Sequence, residues 1–280
     1  MTSSNENFPV TITTRHLCFP LVATICLTLA FVWQLLAVPQ QAIFLAINTQ
    51  GHHLAPAIWQ AITLLGDTLV VLCLLSVLLP RHPVSVLNIV ASVPLGALLS
   101  LSFKSAFSAP RPGDVLDPAL VQGMLGQLSG NSFPSGHALT AFCVACSFWY
   151  ANRLAGSTPT SRLLWCLSLG TAVLIALSRI VLGVHWPIDI VAGASLGWIA
   201  GISGGLVLQR FPSLKHSTKV ITGLSLLLCL ASVHLTSRAI HQEGASAAVL
   251  WLAAGMPWLN LIWQLKPRRS HPSDPSALAQ

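Results

Sequence analysis

Eight apolar runs occupy most of this 280-residue chain, at about 17–38, 57–79, 84–107, 137–152, 163–182, 187–208, 219–236 and 247–265. A helix needs about 20 apolar residues to cross a hydrocarbon core of about 30 Å, and most of the runs approach that length. Lipid offers a backbone no water to bond to, so N–H and C=O groups must be satisfied inside helices. The class that follows is all-α: a polytopic integral membrane bundle of about eight transmembrane helices. Composition agrees, because 8% of residues are charged, against about 25% in a soluble domain. The first run, Leu17 to Val38, is about 22 residues long, too long for a signal-peptide core, and reads as an uncleaved span. A formal charge of +7 raises the question of nucleic acid. The basic residues are scattered between apolar runs rather than gathered in a stripe, so membrane orientation explains them and no nucleic-acid partner is expected.

Orientation follows from where those residues fall. With the N-terminus in the cytoplasm and the runs alternating, the cytoplasmic side holds Arg15, Arg81, Arg153, Arg162, Arg210, Lys215, Lys219, Lys266, Arg268 and Arg269. The other side holds Lys104, Arg111, Arg179 and Arg238. Ten against four satisfies the positive-inside rule.

Three of the four exceptions belong to polar clusters at the ends of apolar runs. The first cluster is Lys104, six residues, then Arg111-Pro112; the second is Pro134-Ser135-Gly136-His137; the third is Ser178-Arg179, five residues, His185, three residues, Asp189. Alternation of the runs puts all three on the face opposite the cytoplasm. Arg111 and Arg179 can grip phosphate oxygens bidentately and Lys104 adds a point charge, although single basic residues of this kind also serve as snorkelling anchors. Ser135 can cap the helix that follows it, leaving free N–H groups to face an anion or simply water. Pro187 suits a first helical turn. Asp189, four residues after His185, can reach one ring nitrogen and hold the other unprotonated; it is equally a good partner for the helix dipole. The combination suits a phosphate ester or similar oxyanion. The run from His137 to Asn152 makes only about 24 Å of helix at about 1.5 Å per residue, so its first turn is expected slightly below the membrane surface, within reach of a lipid headgroup.

Together the three clusters resemble the three-part signature of the type 2 phosphatidic acid phosphatase (PAP2) superfamily. That superfamily includes lipid phosphate phosphatases, glucose-6-phosphatase-like enzymes, bacterial acid phosphatases and vanadium haloperoxidases. All parts match in order, across the central third of the chain and its flanks; the first 50 or so residues and those beyond about 210 lie outside the resemblance. It implies a PAP2-like six-helix core, with His185 as the nucleophile that forms a phosphohistidine, Asp189 orienting it, and His137 protonating the leaving oxygen. Lys104, Arg111, Arg179, the Ser135 hydroxyl and the Gly136 backbone would hold the equatorial oxygens, with no metal or other cofactor. The implied substrate is a lipid phosphate entering from the outer leaflet of a bacterial cytoplasmic membrane. Undecaprenyl diphosphate is favoured, with the 1-phosphate of lipid A, phosphatidylglycerophosphate and phosphatidic acid as alternatives, and transfer to a second lipid phosphate allowed by the same chemistry. A haloperoxidase fits poorly because those proteins are soluble. A transport or assembly protein with a vestigial site is disfavoured because no signature residue is missing. Oligomeric state is left open.

The expected organisation is a disordered cytoplasmic stretch at 1–14, a phosphatase core at 15–210, two additional transmembrane helices at 211–265 and a cytoplasmic tail at 266–280. Leu120, Val121, Met124, Leu125 and Leu128 fit either a short interfacial helix or an irregular loop. Gly193, Gly197, Gly201 and Gly205 form a stripe for close helix approach, within the chain or across a dimer seam. Asp67 stands near the middle of the second run, where a carboxylate marks either function or an interhelical hydrogen bond; a continuous helix puts it some turns from the catalytic level. His234, Arg238, His241 and Glu243 gather around the outer end of the seventh run, as a headgroup pocket or as scattered interfacial polarity. The seven cysteines all lie in apolar runs, and Cys143-x2-Cys146 reads as small apolar packing rather than a redox pair.

Overall fold

The structure, a computed structural model, describes residues 22, 25, 28, 29, 39–121, 130–154 and 157–265. Its elements are α1 (Gln40–Gly51), α2 (Pro56–Leu64), α3 (Thr68–Leu75, prolonged by a 3-10 turn over Ser76–Leu78), α4 (Pro83–Phe107), α5 (Pro112–Val115), α6 (Gly136–Leu154), α7 (Pro159–Val181), α8 (Pro187–Arg210), α9 (Thr218–Ile240) and α10 (Gly244–Leu265). There is no strand among the described residues, and the all-helical, multi-pass class holds.

Five of the described helices are long and apolar enough to cross a membrane, or six if α2 and α3 together form one span. The expected eight therefore divide differently. The first run falls almost wholly outside the described residues, with only positions 22, 25, 28 and 29 seen as helix. α6 is 19 residues long but falls short on apolarity. The reason is its position: α6 packs against α8, α7 and α4, so its Thr140, Ser147 and Asn152 meet protein rather than lipid. The second run is not one helix. It breaks at Leu65–Asp67 with a bend of 71° between α2 and α3.

Between apolar helices in lipid the hydrophobic effect contributes little, so close approach of small residues and interhelical hydrogen bonds hold the bundle. The glycine stripe of α8 supplies the first. A Cβ at Gly193 or Gly197 would run into the backbone of α6 at Ser135 or Leu139, and one at Gly205 would meet the Tyr150 ring at 2.7 Å. The stripe is a seam within the chain. Tyr150 fills its lower end, donating to the Gly205 carbonyl at 2.9 Å. α9 and α10 pack on each other and dock on α2 and α3, where Asn260 and Gln264 both donate to Ser225 at 2.9 Å across the hairpin.

α1 was not anticipated, its 12 residues being too few to span. Asn48, fully buried, donates to the carbonyls of Ile180 and Val181 at the end of α7, and Phe44 packs on Trp186 with ring centroids 5.3 Å apart. The short helix thus covers the turn that carries His185. Val121 joins that cluster, whereas Met124, Leu125 and Leu128 of the expected interfacial helix lie outside the described residues, as does the tail from 266. Cys143 and Cys146 are free and buried in α6.

Candidate active site

The three clusters meet at one end of the bundle, because α4 and α7 end there and α6 and α8 begin there. α7 stops at Val181 and turns through Gly183, whose φ of 74° favours a residue without a Cβ. The amides of Val184 and His185 then fold back onto the Arg179 carbonyl at 3.1 and 3.3 Å. Pro187 opens α8, and Asp189, in its first turn, accepts from the Trp186 amide at 2.8 Å. The same carboxylate oxygen, Oδ2, accepts from His185 Nδ1 at 3.2 Å and from the Ser132 hydroxyl at 2.5 Å. His185 and Asp189 are 3% and 1% exposed, so this is a dry pair. A proton on Nδ1 serves the carboxylate and leaves Nε2 with its lone pair free. Burial pushes the His185 imidazole down from 6.5 to about 4, against the opposing pull of the Asp189 hydrogen bond.

Ser135 and Gly136 begin α6. The Ser135 amide donates to the Asp189 backbone carbonyl at 3.0 Å, tying the two helix starts together, and its hydroxyl accepts from the Ala138 amide at 3.4 Å as a cap. The amides of Gly136 and His137 have no acceptor among the described residues, and a Cβ at Gly136 would meet nothing within 4 Å. This open helix start is a place for an anion.

The cations arrive from three directions. Lys104, in the last turn of α4, donates to the Asn131 carbonyl at 2.8 Å, while the Asn131 side chain returns a bond to the Lys104 carbonyl. Arg111 donates through Nη1 to Val184 at 2.7 Å and through Nε to Gly130 at 3.2 Å. Its loop is pinned by the Trp186 indole on the Pro110 carbonyl at 2.9 Å. Arg179 is 5% exposed; Nη1 donates to the Thr63 hydroxyl at 2.6 Å, while its buried Nε has no partner. None of the three is in an ion pair among the described residues.

A model of the PAP2 superfamily matches residues 85–213, a range that includes all three polar clusters. The crystal structure of Aquifex aeolicus LpxE superposes with a TM-score of 0.51 at 30% identity, over 59% of this chain and 93% of that one. The chain belongs to the PAP2 superfamily. A PAP2-type phosphatidylglycerolphosphate phosphatase from Bacillus subtilis shares the fold, with a TM-score of 0.50 at 22% identity over 71% of this chain and 98% of its own. The undecaprenyl-diphosphatase of Sulfolobus acidocaldarius is 31% identical over 118 residues, which is 42% of this chain and 52% of that PAP2 relative, so the match spans about half of the relative's length.

The residues of the three sequence clusters, Lys104, Arg111, Ser135, Gly136, His137, Arg179, His185 and Asp189, are thus gathered at one end. Residues with no signature role complete the surroundings: Ser132 on Asp189, Asn131 on Lys104, Thr63 on Arg179, and Gly66, whose absent Cβ makes room for His137. Asp67 departs most from its sequence reading. It does not sit mid-helix: its Oδ1 caps α3 by accepting from the Leu69 and Val70 amides at 3.0 and 3.2 Å, and its Oδ2 accepts from Arg238 of α9 at 2.9 Å. The interhelical bond exists, as an ion pair, and the helix break brings Asp67 to the level of His137.

Proposed function

We propose that this chain is an integral membrane lipid phosphatase acting through a phosphohistidine, with its site on the extracytoplasmic face of a bacterial cytoplasmic membrane and both termini in the cytoplasm. The observation that carries this reading is electrostatic. Lys104, Arg111 and Arg179 converge on a buried His185–Asp189 pair with none of the three in an ion pair among the described residues, and the Arg179 Nε is a buried donor left unmatched. An unpartnered buried charge costs several kcal/mol, and a phosphoryl group with its anionic oxygens removes that cost.

In the reaction, Nε2 of His185 attacks phosphorus in line as the bond to the leaving oxygen breaks, and His137 gives that oxygen a proton. The electron pair of the broken bond leaves with the lipid. Asp189 keeps the Nδ1 proton and stabilises the positive charge that develops on the ring. The three cations and the amides of Gly136 and His137 hold the equatorial oxygens. Water, deprotonated by His137, then attacks phosphorus and releases orthophosphate and free His185. Undecaprenyl diphosphate is the favoured substrate, supported by the name of the Sulfolobus relative; lipid A 1-phosphate, phosphatidylglycerophosphate and phosphatidic acid are the alternatives to run beside it in a phosphate-release assay.

Rapid quench with a radiolabelled nitrophenyl phosphate tests the assignment. His185→Ala is expected to yield no acid-labile label on protein. His137→Ala is expected to form the label, because a nitrophenolate needs little protonation, and to hydrolyse it slowly. Label that survives in His185→Ala and vanishes in His137→Ala reverses the two roles.

A further inference from the structure

His137 also lies in the wall of a second space. A cavity of about 540 Å³ opens between α4, α6 and α9, lined by Gly136 and His137 but by none of Lys104, Arg111, Arg179 and His185. It therefore adjoins the site on the side of the proton donor. Two residues of α9, His234 and Arg238, line it one helical turn apart and so share a face. Both fall outside the segment matched to the PAP2 superfamily. Arg238 is held in place by a single bond, Nη1 to Asp67 Oδ2 at 2.9 Å, and Asp67 is itself fixed by capping α3. The described contacts use one of the five N–H groups of that guanidinium, whose side chain is 33% exposed. The rest of the wall is mostly apolar, with Leu69, Ile89, Val93 and Ala97, and is interrupted by the hydroxyl residues Thr68, Ser92, Ser100 and Thr140.

Whatever leaves the phosphorus must depart towards the group that protonates it. The space next to His137 offers a cation, Arg238, in a mostly apolar wall. We infer that Arg238, with His234, forms a second phosphate subsite that holds the leaving group, and that the substrate is accordingly a lipid diphosphate. This rests on the phosphatase reading above. The terminal phosphoryl group occupies the Lys104–Arg111–Arg179 site and is taken by His185 Nε2. The bond from its phosphorus to the bridging oxygen breaks, and the electron pair leaves on the lipid monophosphate, whose charge Arg238 neutralises. With a lipid monophosphate the leaving group is an alcohol once protonated, and Arg238 has no anion to hold.

The test is kcat/KM of the purified full-length protein in detergent for a polyprenyl diphosphate and for the monophosphate of the same chain. The wild type is expected to favour the diphosphate, and Arg238→Gln to lower the diphosphate-to-monophosphate ratio at least tenfold. The double variant Asp67→Asn/Arg238→Gln replaces the ion pair by two amides that can still bond, and the same fall is expected in it if the single variant misfolds. Asp67→Asn alone keeps the cap and removes a competing negative charge, so its ratio is expected to hold or rise. A fall in Asp67→Asn as large as that in Arg238→Gln would make the pair a strut between helices and overturn the subsite. So would an unmoved ratio in the Arg238 variants, or a wild type that prefers the monophosphate, while phosphatase activity itself stands. A wild type that hydrolyses neither lipid removes the phosphatase reading and the subsite with it.

Discussion

Asp189 Oδ2 accepts three hydrogen bonds at once, from Ser132, the Trp186 amide and His185. Hydrogen bonds to a charged group contribute about 1.5–3 kcal/mol each, so the carboxylate is fixed before any substrate arrives. It fixes the His185 tautomer in turn. Burial sets the charge of that ring: with its pKa lowered to about 4, the imidazole is neutral above that value and loses the free Nε2 lone pair, the proposed nucleophile, only as pH falls through it. An unperturbed histidine would lose half of it by about pH 6.5. The rate of phosphoenzyme formation, with the ionisation of the aryl phosphate measured separately and divided out, is therefore expected to stay flat from about pH 7.5 to about pH 5. A midpoint near 6.5 contradicts the dry pair. Ser132 divides the carboxylate's charge with His185. Ser132→Ala leaves more of the carboxylate's charge to the ring, which should move the acid limb upward, and removes one of the three bonds that fix Asp189, which should lower kcat about ten- to a hundredfold with little change in KM. A lower kcat with an unmoved limb would reduce Ser132 to packing.

The break between α2 and α3 shows where sequence reading succeeds and where it stops. Lys104, Arg111, Arg179, His137, His185 and Asp189 were legible because ionisable groups are rare in lipid and mark themselves by type and spacing. The spans were legible from hydropathy, which registers side chains and not the points at which the backbone changes direction. Leu65-Gly66-Asp67-Thr68 carries helix-stop and helix-start signals inside an apolar run, a glycine followed by an N-capping aspartate, and the length of an apolar run does not register them. Thr63 and Asn48 had no such signal, since one threonine or asparagine in an apolar segment is ordinary; only tertiary contact puts them on Arg179 and on the end of α7. The break has a specific consequence at Gly66. A Cβ there would lie 2.6 Å from Ile175 Cγ2 and 3.0 Å from His137 Cβ, with the ring at 3.1 Å. Overpacking of this kind costs about 1–3 kcal/mol, and the two side chains that must give way are Ile175 and His137, the proposed proton donor. Gly66→Ala is expected to lower kcat for a lipid phosphate about ten- to a hundredfold and to spare nitrophenyl phosphate. Gly170→Ala, where a Cβ meets nothing within 4 Å, serves as the control on α7. Equal loss on both esters would mean that Gly66 supports the fold and not the placement of His137.

The bundle is polar from end to end. At one end lie Lys104, His137, Arg179, His185 and Asp189, with Thr63 bonded to Arg179 and Asp67 to Arg238. At the other, α6 ends at Arg153 and Leu154, α8 ends at Arg210, and α10 ends at Leu265. The bent pair α2–α3 connects the two ends. Thr63 bonds Arg179 at the end that holds the three clusters, whereas Leu79 clusters with Leu208 near the close of α8, and Arg81 sits over the Trp263 ring, 5.1 Å from its centroid, near the close of α10. A re-entrant loop would return Arg81 to the side it came from; the packing of Leu79 and Arg81 favours a bent span. Position along the bundle and basic charge then agree, because Arg81, Arg153, Arg210 and Lys215 share the end that the positive-inside rule assigns to the cytoplasm. Reporter fusions in the intact cell measure this directly. Fusions at Arg81, Arg153 and Lys215 are expected to report cytoplasm, and fusions at His53 and Gly123 the opposite side. His53 and Arg81 on one side would make α2–α3 re-entrant and reverse the parity of everything before it. A cytoplasmic signal at Gly123 would invert the molecule and put the proposed active site on the inner leaflet, where a lipid phosphate would have to be presented from the cytoplasm.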